Sequence, residues 1–157
     1  MKESAFWQTI KKHLDSADIH ISRIESSTGS GVSDVTACRN GVSPWLELKV
    51  FHGNRLYFRN SQRVWIKNRT DVGGHVLVVA RKDALHKTVG PPDTIFVYDA
   101  RLVVLCPSKS STDNKSFSID VDDLPQPLCK THKPFDWNLI RETIFDPTSA
   151  NLPEHLD

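Results

Sequence analysis

The segment 45–50, with the sequence WLELKV, constrains the fold more than any other part of the chain. In an extended strand, Glu47 and Lys49 share one face, while the two leucines and the valine share the other. The apolar face predicts packing against a core. Opposite charges are rarely placed on a half-buried strand unless they are paired, bind a metal ion or take part in chemistry. The segment therefore predicts a functional site.

A second acidic residue, Asp34, is predicted to lie beside this strand. Residues 32–37 read as a preceding strand, and the turn Arg39-Asn40-Gly41 follows them. Asn-Gly between two extended runs is a strong hairpin signal. Antiparallel pairing then brings Asp34 near Glu47, one acid from each strand. Two carboxylates provide the hard oxygen ligands that suit Mg²⁺.

The pattern of an acid, a short hairpin and Glu-x-Lys resembles the PD-(D/E)xK nuclease superfamily. It is most similar to the small Holliday-junction-resolvase-like and VRR-NUC-type nucleases that are common in phages. Residues 31–34, Gly-Val-Ser-Asp, stand where the family often has Gly-Ile/Val-Pro-Asp, with Ser33 in place of the proline. Glu3 matches an acid at the start of the first helix, and Gln62 matches a glutamine that opens a later helix. The resemblance covers roughly residues 3–82.

This resemblance implies a metal-dependent endonuclease that hydrolyses phosphodiester bonds, with branched or otherwise structured DNA as its substrate. The groups implied to bind Mg²⁺ or Mn²⁺ are the side chains of Glu3, Asp34 and Glu47 and the main-chain carbonyl of Leu48. Lys49 would contact the attacking water or the oxyanion. Gln62 would position that water or support Lys49. Junction resolution requires two symmetric cuts, which a homodimer would supply.

Positive charge is concentrated around the helix predicted to begin at Gln62. The basic residues in this stretch are Arg55, Arg59, Arg63, Lys67 and Arg69. They are candidates for contact with DNA phosphates. An ordinary solvated helix face explains the cluster equally well, so both readings stay open at this stage.

Composition limits the remaining possibilities. The net charge of +1 over 157 residues provides no global basic field, so DNA binding would have to come from a local patch. Three cysteines without a CxxC pair indicate reduced thiols. With no membrane-spanning apolar run and no signal-peptide core, the chain is expected in the cytoplasm, or the host cytoplasm if phage-encoded, without membrane association.

The periodicity predicts an α/β (α+β) protein, and the resemblance implies that its core is restriction-endonuclease-like. A mixed central β-sheet would be flanked by helices in the order α-β-β-β-α-β. Residues 1–157 are expected to form one nuclease-like domain, with its core at about 3–105 and a C-terminal loop, helix and tail at 106–157. Further expectations are a loop at 26–31, a helix N-cap at Ser61, a helix stop at Gly73-Gly74, a strand at 94–98, a strand or short helix at 101–105, a mobile loop at 108–118 and a helix capped by Asp136.

Other functions stay open at the level of sequence. A nuclease fold could bind nucleic acid or a protein without cutting, and the near-neutral charge favours that reading. In that case Glu47 and Lys49 would form a surface ion pair worth under about 1 kcal/mol. Glu3 would be a helix-dipole carboxylate, and Gln62 a solvated residue of the first turn. Among enzymes, a restriction-type or repair endonuclease would use the same motif.

Overall fold

The computed structural model describes residues 1–25, 31–83 and 92–148, which form two β-sheets and four α-helices. Within these residues no helix is long and apolar enough to cross a membrane. The elements, in chain order, are α1 (Glu3–Leu14), β1 (His20–Arg23), β2 (Val35–Cys38), β3 (Trp45–Val50), β4 (Arg55–Arg59), α2 (Asn60–Asp71), β5 (Val76–Lys82), β6 (Thr94–Asp99), α3 (Ala100–Val103), β7 (Lys109–Ser110), β8 (Ser116–Asp120), β9 (Cys129–His132) and α4 (Trp137–Ile144).

The larger sheet contains six strands in the order β1-β2-β3-β5-β6-β9. The pairing of β3 with β5 is parallel, and the other pairings are antiparallel. The connection between the two parallel strands contains β4 and α2. This mixed sheet with flanking helices confirms the predicted fold class. The predicted element order holds for the larger sheet, and β4 is an additional strand before α2.

The predicted hairpin joins β2 to β3. Asn40 and Gly41 both have positive φ angles, 50° and 80°. This is the pattern of a two-residue type I′ turn, whose twist matches that of paired strands. β2 begins at Val35 and not at residue 32 as predicted, because the side chain of Asp34 takes a hydrogen bond that would otherwise belong to the main-chain ladder.

Two apolar clusters cover the two faces of the large sheet. The first packs α1 and α4 against the face that carries Leu46, Leu48 and Val50, as the alternation in β3 predicts. The second lies between the opposite face, α2, α3 and the smaller sheet. β5 is buried on both faces because it lies between these clusters, which confirms the reading of its continuous apolar run. The charged face of β3 is therefore directed toward α2 and the smaller sheet.

The smaller sheet has three strands in the order β4-β8-β7. The prediction of a mobile loop at 108–118 is wrong, because this segment contains β7 and the start of β8. β8 contributes two apolar side chains to the second cluster, those of Phe117 and Ile119. The serines and aspartate that alternate with them made the strand look like a polar loop.

Helix α2 begins earlier than predicted. Its N-cap is Arg59 and not Ser61, and its first residue is Asn60. The side-chain oxygen of Gln62 accepts a hydrogen bond from the main-chain N–H of Arg59 at 2.9 Å, which closes the first turn without a hydroxyl cap. The glycines at 73–74 end the helix as predicted, by bonding back to carbonyls of its last turn.

The later elements agree with most expectations. The predicted strand at 94–98 is β6, and the ambiguous segment at 101–105 begins as helix α3. Asp136 caps α4 by accepting a hydrogen bond from the N–H of Leu139. Nearly all of the predicted loop at 26–31, and the tail after residue 148, lie outside the described residues.

Gly31 fixes the loop before Asp34 against the start of α2. Its φ angle is +82°, and a Cβ built on it would lie 2.1 Å from the carbonyl oxygen of Ser61. No side chain fits at that distance, so the glycine allows this approach of two main chains. The contact holds the loop that carries Asp34 beside the helix that carries Gln62.

We predict that Gly31→Ala lowers the free energy of unfolding by roughly 3 kcal/mol, because it combines an unfavourable φ angle with a main-chain clash. Gly53→Ala is the matched control, since Gly53 has a φ angle of +60° but no atom within 4 Å of the point where a Cβ would lie. The control should cost only about 1 kcal/mol. Urea unfolding measures both, and equal losses would contradict the close approach at Gly31.

Candidate active site

The carboxylates of Asp34 and Glu47 meet where β2 and β3 separate. The last ladder pair is Val35 with Leu46, and the same register continued by one residue places Asp34 opposite Glu47. There the Oδ2 atom of Asp34 accepts the main-chain N–H of Leu48 at 3.0 Å. The predicted pair of acids, one from each strand, is therefore brought together.

Glu47 is a fully buried acid, with 0 % of its surface exposed. Its Oε1 atom accepts a hydrogen bond from Nε2 of Gln62 at 2.7 Å, whereas its Oε2 atom is buried without a hydrogen-bond partner. Burial raises the pKa of Glu47 well above its ordinary value, the nearby charge of Asp34 adds to the rise, and Lys49 opposes it. The Oε2 atom of Glu47 therefore lacks the hydrogen-bond donor or cation that a buried oxygen normally has.

Lys49 lies beside Glu47 and is only 5 % exposed. Its Nζ atom donates to Oε1 of Gln62 at 3.2 Å and lies 3.6 Å from Oε1 of Glu47. It also lies 4.7 Å from the ring centroid of Phe58 and 3.9 Å from Oε1 of Glu3. Because both members of the Glu-x-Lys pair are buried, the alternative of a surface ion pair is wrong.

Gln62 connects these groups. It is 5 % exposed and bonds to Glu47, to Lys49 and to the main-chain N–H of Arg59. The alternative of a solvated first-turn residue is therefore wrong. Phe58 was not among the predicted site residues, although the alternation Arg-Leu-Tyr-Phe-Arg in β4 is a recognisable strand signal.

Glu3 lies at the rim of this group and not within it. Its side chain is 47 % exposed, and its contact with the group is the ion pair with Lys49. Partial desolvation raises the pKa of Glu3, and the charges of Lys49, His52 and Arg59 oppose that rise. Arg59 lies next to this group, because its main-chain N–H bonds to Gln62.

The oxygen donors of the site suit a divalent cation. Asp34 and Glu47 supply two neighbouring carboxylates, and the Oε2 atom of Glu47 is a buried acceptor without a donor. The N–H and C=O of one strand residue point toward the same strand edge, so the carbonyl of Leu48 faces the Asp34 side. In the described part of the chain, no three His, Cys, Asp or Glu side chains gather as a metal-holding group. The donor set is therefore two carboxylates and a carbonyl.

The five basic residues of the sequence cluster lie on two elements. On α2, the guanidinium of Arg63 lies 3.6 Å from the ring centroid of Phe117, and Lys67 pairs with Asp71 at 2.6 Å. Arg69 lies over the rings of two tryptophans, at 5.1 and 5.7 Å. The remaining two, at positions 55 and 59, project from the outer face of β4.

Comparison with known proteins adds a fold relative. No protein-family model matches the chain, and no curated protein sequence matches it. Among solved structures it is similar to Hjc, a Holliday junction resolvase from the archaeal hyperthermophile Archaeoglobus fulgidus. The sequences are 15 % identical, the TM-score is 0.51, and the match covers 81 % of this chain and 90 % of that chain. The likeness shows a shared fold. This chain has a restriction-endonuclease-like core.

We predict that Glu47→Gln raises the free energy of unfolding by about 1 kcal/mol at pH 7 in metal-free buffer. The amide keeps the oxygen that accepts from Gln62 and removes a buried charge. The gain should vanish at about pH 4. Because the pKa of Glu47 is raised in the folded protein, the unfolded protein loses this proton more readily. The difference destabilises the folded protein at pH values above the ordinary glutamate pKa of 4.5, and it disappears below that value.

Urea unfolding in EDTA at both pH values tests this prediction, with the exposed acid Glu25 as the matched control. Glu25→Gln should leave stability unchanged at both pH values. Destabilisation by Glu47→Gln at pH 7 would contradict the conclusion that Glu47 is held at a cost in the metal-free protein.

Proposed function

We propose that this protein is a metal-dependent endonuclease that hydrolyses phosphodiester bonds of branched or otherwise structured DNA. The observation that carries the proposal is the buried Glu47 carboxylate beside Asp34, with the ammonium of Lys49 3.6 Å away. Two acids and a cation at one strand edge meet the chemical needs of phosphodiester hydrolysis. The fold is also that of a protein named as a Holliday junction resolvase, which favours branched DNA.

The metal would be Mg²⁺ or Mn²⁺, because carboxylate and carbonyl oxygens are the ligands these ions prefer. Asp34, Glu47 and the main-chain carbonyl of Leu48 would hold it, and the Oε2 atom of Glu47 would gain a partner. When bound, the ion polarises the phosphate and lowers the pKa of a bound water. Glu3, at the rim, would contribute only to a second ion, through water.

Lys49 would act on the phosphate. Its ammonium is fixed by Gln62, Glu47 and the Phe58 ring, so its position requires little reorganisation during reaction. It would donate a hydrogen bond to the attacking water or to the phosphate oxygen that gains charge as the P–O bond breaks. Gln62 is a positioning residue, because it bonds to both Glu47 and Lys49 and orients each.

DNA would approach across the rim where Arg59 lies. Arg55 and Arg59 are the best-placed phosphate ligands, because they share the outer face of β4. Arg63, Lys67 and Arg69 lie on α2, and they would serve another part of the DNA. Two symmetric cuts in a junction would require a homodimer.

One observation favours a second function, binding of DNA without cleavage. The described residues assemble two carboxylates at the site but no group of three metal-ligating side chains. A protein of this kind would keep the fold and the basic residues and would bind junctions in the absence of metal. It would show no cleavage with any divalent ion.

We predict that wild-type protein cleaves at least one labelled four-way junction, flap, duplex or single strand in Mg²⁺ or Mn²⁺ and none in EDTA. Asp34→Asn and Lys49→Met should each lower the single-turnover rate about 100-fold or more, because Asp34 would hold the metal ion and Lys49 would act on the phosphate. Methionine keeps the length of the lysine stem against Phe58, so the fold should be retained.

The matched control is Lys130→Met, which removes an exposed cation on β9. It should cleave at the wild-type rate. Cleavage that survives in both Asp34→Asn and Lys49→Met would refute the assigned site. Folded wild-type protein that binds junctions and cuts none of the four DNAs would establish the binding function instead.

A further inference from the structure

The outer face of the β4-β8-β7 sheet carries basic and aromatic side chains that are half-buried or exposed. In β4, Leu56 and Phe58 point into the core, while Arg55, Tyr57 and Arg59 alternate with them and point outward. Among residues 1–25, 31–83 and 92–148, no helix and no strand of the large sheet covers this face, since the small sheet packs on the second apolar cluster through its other side.

A pocket of about 320 Å³ opens on the same face, away from the two carboxylates of the site. Tyr57 lies opposite Ser118, and Ser118 lies opposite Lys109, so one row of side chains crosses all three strands. Arg55, Tyr57 and Lys109 line the pocket together with hydroxyl groups of Ser and Thr residues. Two cations and an aromatic ring in one pocket, together with hydroxyl groups, suit a ligand that is both flat and anionic.

Tyr57 is the aromatic centre of this surface. It is 49 % exposed, which is unusual for a large aromatic side chain next to a well-packed core. The ring of His52 packs edge-on against it, with the centroids 5.9 Å apart. The ring of Tyr57 is therefore supported on one side and accessible on another, as in surfaces on which bases stack.

The charges on this face are mainly positive. Arg55 is oriented by Ser118, whose hydroxyl accepts from Nε at 2.9 Å, and it lies 3.5 Å from the carboxylate of Asp120. Arg59 and Lys109 are exposed. The three strands therefore carry three cations and one acid on this face, and the acid, Asp120, is already paired with Arg55.

The outward side chains of β4 lead from the pocket to the candidate active site. At the end of β4, the main-chain N–H of Arg59 bonds to Gln62, and the charge of Arg59 reaches Glu3. A strand rises roughly 3.3 Å per residue, so Arg55 lies about 13 Å from Arg59 along β4. A nucleic-acid strand lying on this face would enter the site at Arg59.

We propose that the outer face of the β4-β8-β7 sheet binds an unpaired segment of the DNA strand that is cleaved. One base stacks on Tyr57, and phosphates contact Arg55, Arg59 and Lys109. This inference rests on the proposed nuclease function and narrows the substrate to DNA with a single-stranded segment beside the cut. A continuous duplex would offer phosphates to the arginines but no free base face to Tyr57.

The test is fluorescence anisotropy in EDTA, so that binding is measured without cleavage. The probe is a labelled oligothymidylate of about 15 nucleotides, which covers the site size of typical single-strand surfaces. Tyr57→Ala should weaken binding about tenfold, whereas Tyr57→Phe should bind like wild type because the ring is kept. Arg59→Gln should reduce the salt dependence of binding by about 0.7 in log–log slope, as expected for one lost phosphate contact on a single strand. The charge control Lys130→Gln should change neither quantity.

Two results would overturn the inference. The first is equal binding of the oligothymidylate by wild type and Tyr57→Ala, with both proteins folded by circular dichroism. The second is a Tyr57-dependent preference for oligouridylate over oligothymidylate, which would make the ligand RNA. Metal-dependent DNA cleavage by wild type is measured separately, and neither result bears on it. If wild type does not cleave DNA with any metal ion, the nuclease function on which the inference rests is refuted.

Discussion

The side-chain amide of Gln62 is the interaction on which the rest of the site depends. A carboxylate and an ammonium buried on one strand require partners, because an unpaired buried charge is strongly destabilising. Gln62 supplies a donor to Glu47 and an acceptor to Lys49, and its position is set by the first turn of α2. The helix must therefore begin directly over the charged face of β3. The close contact of Gly31 with this turn brings the Asp34 loop to the same place.

The small sheet supports the lysine from the other side. Lys49 lies over Phe58, Phe58 stacks on Phe117 with centroids 5.3 Å apart, and the guanidinium of Arg63 lies 3.6 Å from the Phe117 centroid. This series of a cation, two rings and a second cation joins β3, β4, β8 and α2. Cation–π contacts are strongest when water is excluded, as it is here around Lys49. The same sheet thus fixes the reacting side chain with its inner face and presents Tyr57 with its outer face.

Much of this arrangement could be predicted from local sequence pattern. The alternation in β3 and the Asn-Gly turn were sufficient to place Asp34 next to Glu47, since register and side-chain direction follow from a two-residue turn. The partners of Gln62 could not be predicted, because they depend on how α2 crosses β3. The small sheet was missed for a different reason: β8 buries only two apolar side chains among serines, so its composition resembles a loop. Because the small sheet was not predicted, the contact of Lys49 with Phe58 was not predicted either.

The central claim is that the buried Glu47 and the half-buried Asp34 form a metal site and not a structural pair of carboxyls. Calorimetric titration of Mn²⁺ into DNA-free protein at pH 7 tests it most directly, with Glu47→Gln titrated in parallel. We predict saturable binding of Mn²⁺ by wild type and no saturable binding by the variant. Equal heats from the two proteins, or none from either with the fold intact, would contradict it.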